Sequence, residues 1–274
     1  MSTGIRLAAV IGNPITHSRS PVLHGHWLQR HGIKGQYVPL QVRENDLEAC
    51  LHLLPRIGFA GINVTLPHKE AVLRLADSCS ATAQRIGAAN TLTFVNETIE
   101  ADNTDAYGFT WNILDHAPGW EPGLVAVIGA GGASRAVVAA LLDRGAQTIR
   151  ITNRRMERSE QIANDFGGKM KVVPWQERHA MLAECDTLIN ATSLGMQNAP
   201  PLDLTLDDLP ANALVNDLVY APLKTDLLKR ATARGNLAID GLGMLLHQAV
   251  PGFERWFGIK PMVDKALRDA VLAP

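Results

Sequence analysis

The sequence predicts an α/β protein of two parts, an N-terminal α/β part followed by one built on a doubly wound parallel sheet. Three observations predict it. From Gly123 onward short β-branched runs alternate with amphipathic stretches, the pattern of βαβ units. The first hundred residues alternate as well, but with different loop chemistry, and so read as a separate part. The composition, 46% hydrophobic and 5% aromatic with 23 glycines and 15 prolines, suits α/β sheets with many tight turns better than a β-sandwich. A length of 274 residues is enough for one large domain or two modest ones, at roughly 100–200 residues each.

In the first part strands are expected near 5–11, 36–41, 60–64, 91–95 and 98–101. The segment APGWEPG (117–123), rich in Pro and Gly, reads as the boundary. Beyond it come LVAVI (124–128), TIRIT (148–152), MKVVP (170–174), DTLIN (186–190), ALVNDLV (213–219) and LAID (237–240), with helices expected near 132–144, 156–166, 175–183 and 224–234. Six strands fit a nucleotide-binding sheet. After Asp240 the chain is mostly helical without a following strand and is expected to cross back onto the first part. The domains expected are 1–110 with 243–274, and 111–242.

Charge narrows the function. With 26 Lys and Arg against 27 Asp and Glu the net charge is −1, which leaves no basic surplus for a broad footprint on nucleic acid or anionic lipid. A small-molecule partner is expected, with neither nucleic acid nor membrane. Cys50, Cys79 and Cys185 form no redox or metal-like pair and are expected reduced and buried, and no His/Cys/Asp spacing suggests a metal. The start, MSTGIRLAAVIGNP, lacks the pattern of a secretory signal, so the cytoplasm is expected. Leu124 to Leu142 is mostly apolar but contains Arg135 and the run Gly129-Ala130-Gly131-Gly132, so it reads as strand, turn and helix.

That run is the sharpest local signal. Gly129 permits a tight turn, Gly131 lets backbone approach a pyrophosphate, and the next helix offers free N–H groups and a positive dipole end. Ser134 stands where the third glycine of the usual fingerprint would be. With a strand before it and a second strand ending at Asn153, the reading is a Rossmann-like dinucleotide site. The second strand ends in Asn153-Arg154-Arg155 where an NAD site would place an acid, and arginine's planar fork suits a 2′-phosphate, so NADP is favoured. The same arginines would also make an ordinary solvated helix start.

The N-terminal part carries a second constellation. Ser18 and Ser20 stand two apart, so in an extended segment their hydroxyls face one side and can share a carboxylate. Ser20, preceding Pro21, also reads as a helix N-cap, which Ser18 does not. Asn63 and Thr65 end a buried strand, and Lys69 opens a helix, where the dipole disfavours its charge and hints at proton transfer. Asn90 and Asp105 fall at similar places, Asp105 as a further N-cap candidate. Strand ends and helix starts are where α/β crevices form, so one pocket is expected.

Together these motifs resemble the shikimate dehydrogenase family over nearly the whole chain. The matching stretches are GNPxxHSxSPxxH at 12–24, GxNVTxPxK at 61–69, GAxNT at 87–91, NTD at 103–105, GAGGASRA at 129–136, NR at 153–154, NATSxGM at 190–196, DLVYxPxxT at 217–225 and DGxGMLxxQ at 240–248. The resemblance implies a two-domain enzyme that reversibly reduces 3-dehydroshikimate to shikimate with NADPH, as monomer or homodimer. It implies Lys69 and Asp105 as the catalytic pair and Ser18 and Ser20 on the substrate carboxylate. Thr65, Asn90, Asp105 and Gln248 would surround the ring hydroxyls with Tyr220 nearby. Gly129, Ala130, Gly131, Gly132 and Ala133 would hold the pyrophosphate, and Thr192, Leu218, Gly241 and Met244 the nicotinamide. Without the resemblance, Leu218 and Met244 read as packing, and Gln248 and Tyr220 as amphipathic surface; His17 and His24 read as structural.

Three positions depart from the family pattern: Ala106 follows the NTD, Arg155 follows the NR, and Ala221 replaces the common asparagine of VYNP. Two other readings compete, a quinate/shikimate dehydrogenase of broader specificity and a non-catalytic dinucleotide-binding regulator on the same fold. Ser20 and the paired arginines argue against the first, intact Lys69 and Asp105 against the second.

Overall fold

Arg6–Gly12 (β1) is buried along its last five residues, as a strand covered on both faces must be. It leads the first of two units in the computed structural model, which describes residues 5–273. This unit comprises the described residues up to Asp105 and from Leu246 onward. After β1 come Ser20–Arg30 (α1), Gly35–Gln41 (β2), Leu47–Arg56 (α2), Phe59–Val64 (β3), Lys69–Leu75 (α3), Ser78–Cys79 (β4), Ala81–Ile86 (α4), Thr91–Val95 (β5) and Thr98–Asp102 (β6). The sheet order is β2-β1-β3-β5-β6-β4, with β1 parallel to both neighbours and β5 antiparallel to β3 and β6. Asn96 and Glu97, both at positive φ, close the β5–β6 hairpin, the conformation a two-residue turn needs to match strand twist. Ala9, Ile11, Ile62, Val64 and Leu92 form the centre of a core that the apolar face of α2 covers.

Asp105–His116 (α5) carries the chain into the second unit, Ala106–Leu245. There Leu124–Ile128 (β7), Gly132–Asp143 (α6), Thr148–Thr152 (β8), Met156–Phe166 (α7), Met170–Val172 (β9), Thr187–Asn190 (β10), Leu214–Asp217 (β11), Asp226–Ala233 (α8) and Leu237–Ile239 (β12) follow. The sheet is wholly parallel, in the order β12-β11-β10-β7-β8-β9. The order reverses between β7 and β10, the switch point at which doubly wound sheets open a crevice. Leu242–Phe257 (α9) and Lys265–Leu272 (α10) complete the chain. The first unit's α1 is tied to the end of the chain by Trp27, whose indole donates to the Met262 carbonyl at 3.0 Å, and by an ion pair of Arg30 with Asp264.

Several expectations need correction. The stretch 175–183 is no α-helix but two single 3₁₀ turns, Trp175–Glu177 and Ala180–Leu182. Loop contacts hold it in that form: the Arg178 guanidinium donates to the Asp203 carbonyl and His179 Nδ1 accepts the Thr205 N–H. The segment 117–123 lies inside the second unit rather than at its edge. Strand β4 was not expected. Ser20 is not the cap of α1: Arg19 holds that place, and the Ser18 hydroxyl instead accepts the Ser20 N–H at 3.3 Å. Of the three free cysteines, Cys185 is buried and the others half-buried. Among the described residues no cluster of His, Cys, Asp or Glu is suited to a metal ion, and no helix is long and apolar enough to cross a membrane.

Candidate active site

In the first unit, the ends of β1, β3 and β5 are stitched by backbone bonds, the Thr65 N–H to Ile11, the Asn13 N–H to Leu66 and the Val64 N–H to Asn90. Lys69 is the first residue of α3, and its carbonyl accepts the Ala89 N–H at 2.9 Å, which sets it beside the loop that carries Asn90. Its Nζ lies 2.5 Å from Asp105 Oδ2. The carboxylate thus offsets the charge that the helix start disfavours. The Asn90 amide donates to Asp105 Oδ1 at 2.8 Å and to Gln248 Oε1 at 3.2 Å, while its own Oδ1 accepts the Thr104 N–H at 2.8 Å. Asp105 is no N-cap: its side chain is spent on Lys69 and Asn90, and its backbone N–H is taken by Asn103 Oδ1 at 3.0 Å.

A second chain of polar groups runs from this cluster to Tyr37, towards the paired serines. Asn63 Nδ2 donates to the Asn90 carbonyl, and Asn63 Oδ1 accepts the Tyr37 phenol at 2.7 Å. Burial pushes the phenol's pKa well above the usual range, and nearby Ser20 draws it partly back. His24 lies flat on the Tyr37 ring, centroids 3.9 Å apart, and burial lowers its pKa to about 3. His24 therefore stands neutral in an aromatic cluster with Trp27, Phe253 and Trp256, in line with a structural role. Tyr37, Asn63, Lys69, Asn90, Asp105 and Gln248 are thus linked, with Ser20 near the Tyr37 end. Ser18 is half-buried beside Ser20, and half-buried Thr65 packs its methyl where a Cβ on Gly12 would stand, 2.5 Å away. Tyr220 belongs to the second unit and is half-buried after β11. Tyr37 and Thr104 escaped the sequence reading, because a strand tyrosine and a loop threonine look like packing until their partners are known.

In the second unit Gly129 has φ +109°, and a Cβ there would stand 2.8 Å from Thr192 Cγ2 and 2.9 Å from the Ala191 backbone, so only glycine fits. Ala130 is buried behind the turn. Gly131 and Gly132 differ: a Cβ on either would meet nothing within 4 Å. The backbone there, with Ala133 beside it in the first turn of α6, faces open space in which a pyrophosphate fits. Ser134, in place of the third glycine, is buried and accepts the Gly131 N–H at 3.1 Å. Asn153 turns inward to hold the Arg155 carbonyl at 2.9 Å, while Arg154 and Arg155 are exposed without an acidic partner among the described residues, a donor set that fits a phosphate. Thr192 donates both its N–H and its hydroxyl to Asn190 Oδ1, and the Leu218 N–H binds the Asn190 carbonyl at 2.9 Å. Leu218 abuts Gly241 so closely that a Cβ there would fall 2.1 Å from the Leu218 oxygen. Met244 is buried in the first turn of α9. The residues expected around the pyrophosphate and the nicotinamide are therefore contiguous from Gly129 through Thr192 and Leu218 to Gly241.

Three family models match the chain: "Shikimate dehydrogenase substrate binding domain" over 10–92, "Shikimate / quinate 5-dehydrogenase" over 116–197 and "Shikimate 5'-dehydrogenase C-terminal domain" over 241–272. A shikimate dehydrogenase (NADP(+)) of Paramagnetospirillum magneticum is 57% identical over 276 residues, covering 100% of both chains. Among solved structures, the shikimate 5-dehydrogenase of Thermus thermophilus in complex with NADP(H) and shikimate is 36% identical, covers 98% of each chain and superposes with a TM-score of 0.87. The quinate dehydrogenase of Corynebacterium glutamicum in complex with NAD, 30% identical over 98% of this chain and 99% of its own, reaches 0.92. Fold similarity therefore does not separate the two substrates. The matched domains and the full-length relatives do fix the lineage: this chain belongs to the shikimate dehydrogenase family.

Proposed function

We propose that the chain is an NADP-dependent shikimate dehydrogenase, an oxidoreductase that reversibly reduces 3-dehydroshikimate to shikimate in aromatic amino-acid biosynthesis. The observation that carries the chemistry is the Lys69–Asp105 pair. NADPH, when bound, supplies the hydride. Ser18 and Ser20 hold the substrate carboxylate, and Thr65, Asn90, Asp105 and Gln248 orient the ring hydroxyls, with Tyr220 near them. Both Asp105 oxygens are occupied, one by Lys69 and one by Asn90, whereas the Lys69 ammonium keeps N–H groups to spare. Lys69 therefore gives its proton to the alkoxide that develops at the reduced carbon and takes it back in oxidation, and Asp105 fixes the lysine and the reacting hydroxyl. The first unit binds substrate and the second NADP, whose pyrophosphate lies on Gly129 to Ala133, whose 2′-phosphate meets Arg154 and Arg155 beside Asn153, and whose nicotinamide meets Thr192, Leu218, Gly241 and Met244.

The high TM-score to a quinate dehydrogenase keeps broader specificity as the second reading. Initial rates with shikimate and with quinate, each with NADP and with NAD, decide between them. Shikimate with NADP should be the fastest combination; equal rates on quinate would favour the broader enzyme, and no turnover at all a binding protein. Its place in a biosynthetic route that draws on NADPH supports the cytoplasm as its location, where it would act as monomer or homodimer.

A further inference from the structure

The DLVYxPxxT stretch begins and ends on polar residues that neither substrate nor cofactor contact uses, Asp217 and Thr225. Asp217 is fully buried at the end of β11. Its Oδ1 accepts the Asn190 amide at 2.9 Å and the Val219 N–H at 3.1 Å, and its Oδ2 accepts the Thr225 hydroxyl at 2.6 Å. Each donor comes from a different place. Asn190 ends β10, and its Oδ1 receives the N–H and hydroxyl of Thr192. Val219 follows Leu218, and its carbonyl accepts the Gly241 N–H at 3.2 Å. Thr225 caps α8, accepting the Leu228 N–H while it donates to Asp217.

These partners are all neutral, and burial raises the Asp217 pKa to about 6. A carboxylate buried without a cation works against stability, so what it contributes lies in the strength with which a charged acceptor holds three donors at once. We propose that Asp217 is a positioning residue that clamps the Thr192 turn, the Leu218–Val219 turn and the start of α8 into one rigid wall for the nicotinamide end of NADP. The inference rests on the placement of that end against Thr192 and Leu218.

The test is direct titration of NADP+ and, separately, of shikimate into wild type and variants at pH 7.5, with thermal unfolding alongside. Asp217→Asn keeps the shape but gives up the charge and one acceptor. It should raise the NADP+ Kd about tenfold, the worth of a charge-assisted bond, leave the shikimate Kd within about twofold, and keep or raise Tm. Thr225→Val should weaken NADP+ about three- to tenfold and Thr225→Ser should restore it, which keeps the question open to test even if Asp217→Asn folds poorly. NADP+ affinity within about twofold of wild type in both Asp217→Asn and Thr225→Val, whatever Tm does, would reduce Asp217 to scaffold and overturn the role. Thr192→Ala separates the two layers: if it weakens NADP+ while the others do not, the clamp alone fails, and if it changes nothing, the nicotinamide placement fails with it.

Discussion

The two units gather most of their candidate residues at the same kind of place, near the carboxyl ends of parallel strands, but build them from different parts of the residue. In the first unit the candidate atoms are side chains: Tyr37, Asn63, Asn90, Asp105 and Lys69 are joined through hydrogen bonds, and opposite charges meet at Lys69 and Asp105. In the second the candidate atoms are mostly backbone, open where Gly131 and Gly132 carry no Cβ, and a buried carboxylate, Asp217, ties together the neighbouring Asn190, Val219 and Thr225. A side-chain site should lose chemistry one atom at a time; a backbone site should lose binding through its supports or through added bulk.

The strongest way to break that contrast is Lys69→Ala, which should lower kcat by about 10²–10⁴-fold while shikimate affinity changes far less. Single-turnover rates and shikimate titration would check it, and a change confined to KM would remove the lysine from the chemistry. Next in size is the pH dependence of stability, where the units should behave oppositely. His24 has its pKa lowered to about 3 from 6.5, so below 6.5 the unfolded chain takes up a proton that the folded chain refuses. Its contribution is whole above pH 6.5 and is lost as pH falls towards 3, up to about 5 kcal/mol at ~1.4 kcal/mol per pKa unit. Asp217 has its pKa raised from 3.8 to about 6, so in that window the folded chain keeps a proton that the unfolded chain releases. Its contribution is best below pH 3.8 and declines by about 3 kcal/mol as pH rises through 6. Denaturant unfolding across pH 3–7 should flatten its acid slope in His24→Phe and steepen it in Asp217→Asn.

Smaller effects sharpen the contrast. Ser20→Ala should weaken shikimate by roughly 1.5–3 kcal/mol, the value of a bond to a charged group, with NADP+ unaffected. It is a cleaner probe than Ser18→Ala, since the Ser18 hydroxyl also holds the first N–H of α1. Arg154→Ala or Arg155→Ala should weaken NADPH about ten- to a hundredfold and NADH hardly at all, so the NADPH/NADH preference is the quantity to measure. Smallest is Gly131→Ala: with no atom within 4 Å of the new Cβ, Tm should stay put while cofactor affinity falls, whereas Gly129→Ala should lower Tm as well.

Local pattern carried most of the architecture. β-Branched runs placed β7 to β12, and the glycine turn placed the start of α6, because those signals are contained within a few residues. What failed was set by distant partners. Apolar spacing around Trp175, Met181 and Leu182 suggested a helix that the loop near Asp203 and Thr205 overrides, and β4 is two residues paired with β6. The spacing of Ser18 and Ser20 assumed an extended segment with Ser20 as cap, but Arg19 between them is helical and holds the cap position, and the Ser18 hydroxyl meets the Ser20 N–H instead. Asp217 offered no signal of its own, being one acid in an apolar strand whose donors arrive from 27 and 8 residues away.

On the proposed mechanism the polar chain of the first unit also bears on the route of the proton. Two of its links, Asn63 and Asn90, are carboxamides, which pass hydrogen-bond polarity but cannot hand a proton onward, so the series from Tyr37 to Asp105 is an insulator and not a wire. With Lys69 as proton donor, its Nζ, on a side chain that keeps 20% of its surface open, would be recharged directly from solvent after each reduction. The proton of the reaction would then pass through that one atom, with no relay through the interior of the unit.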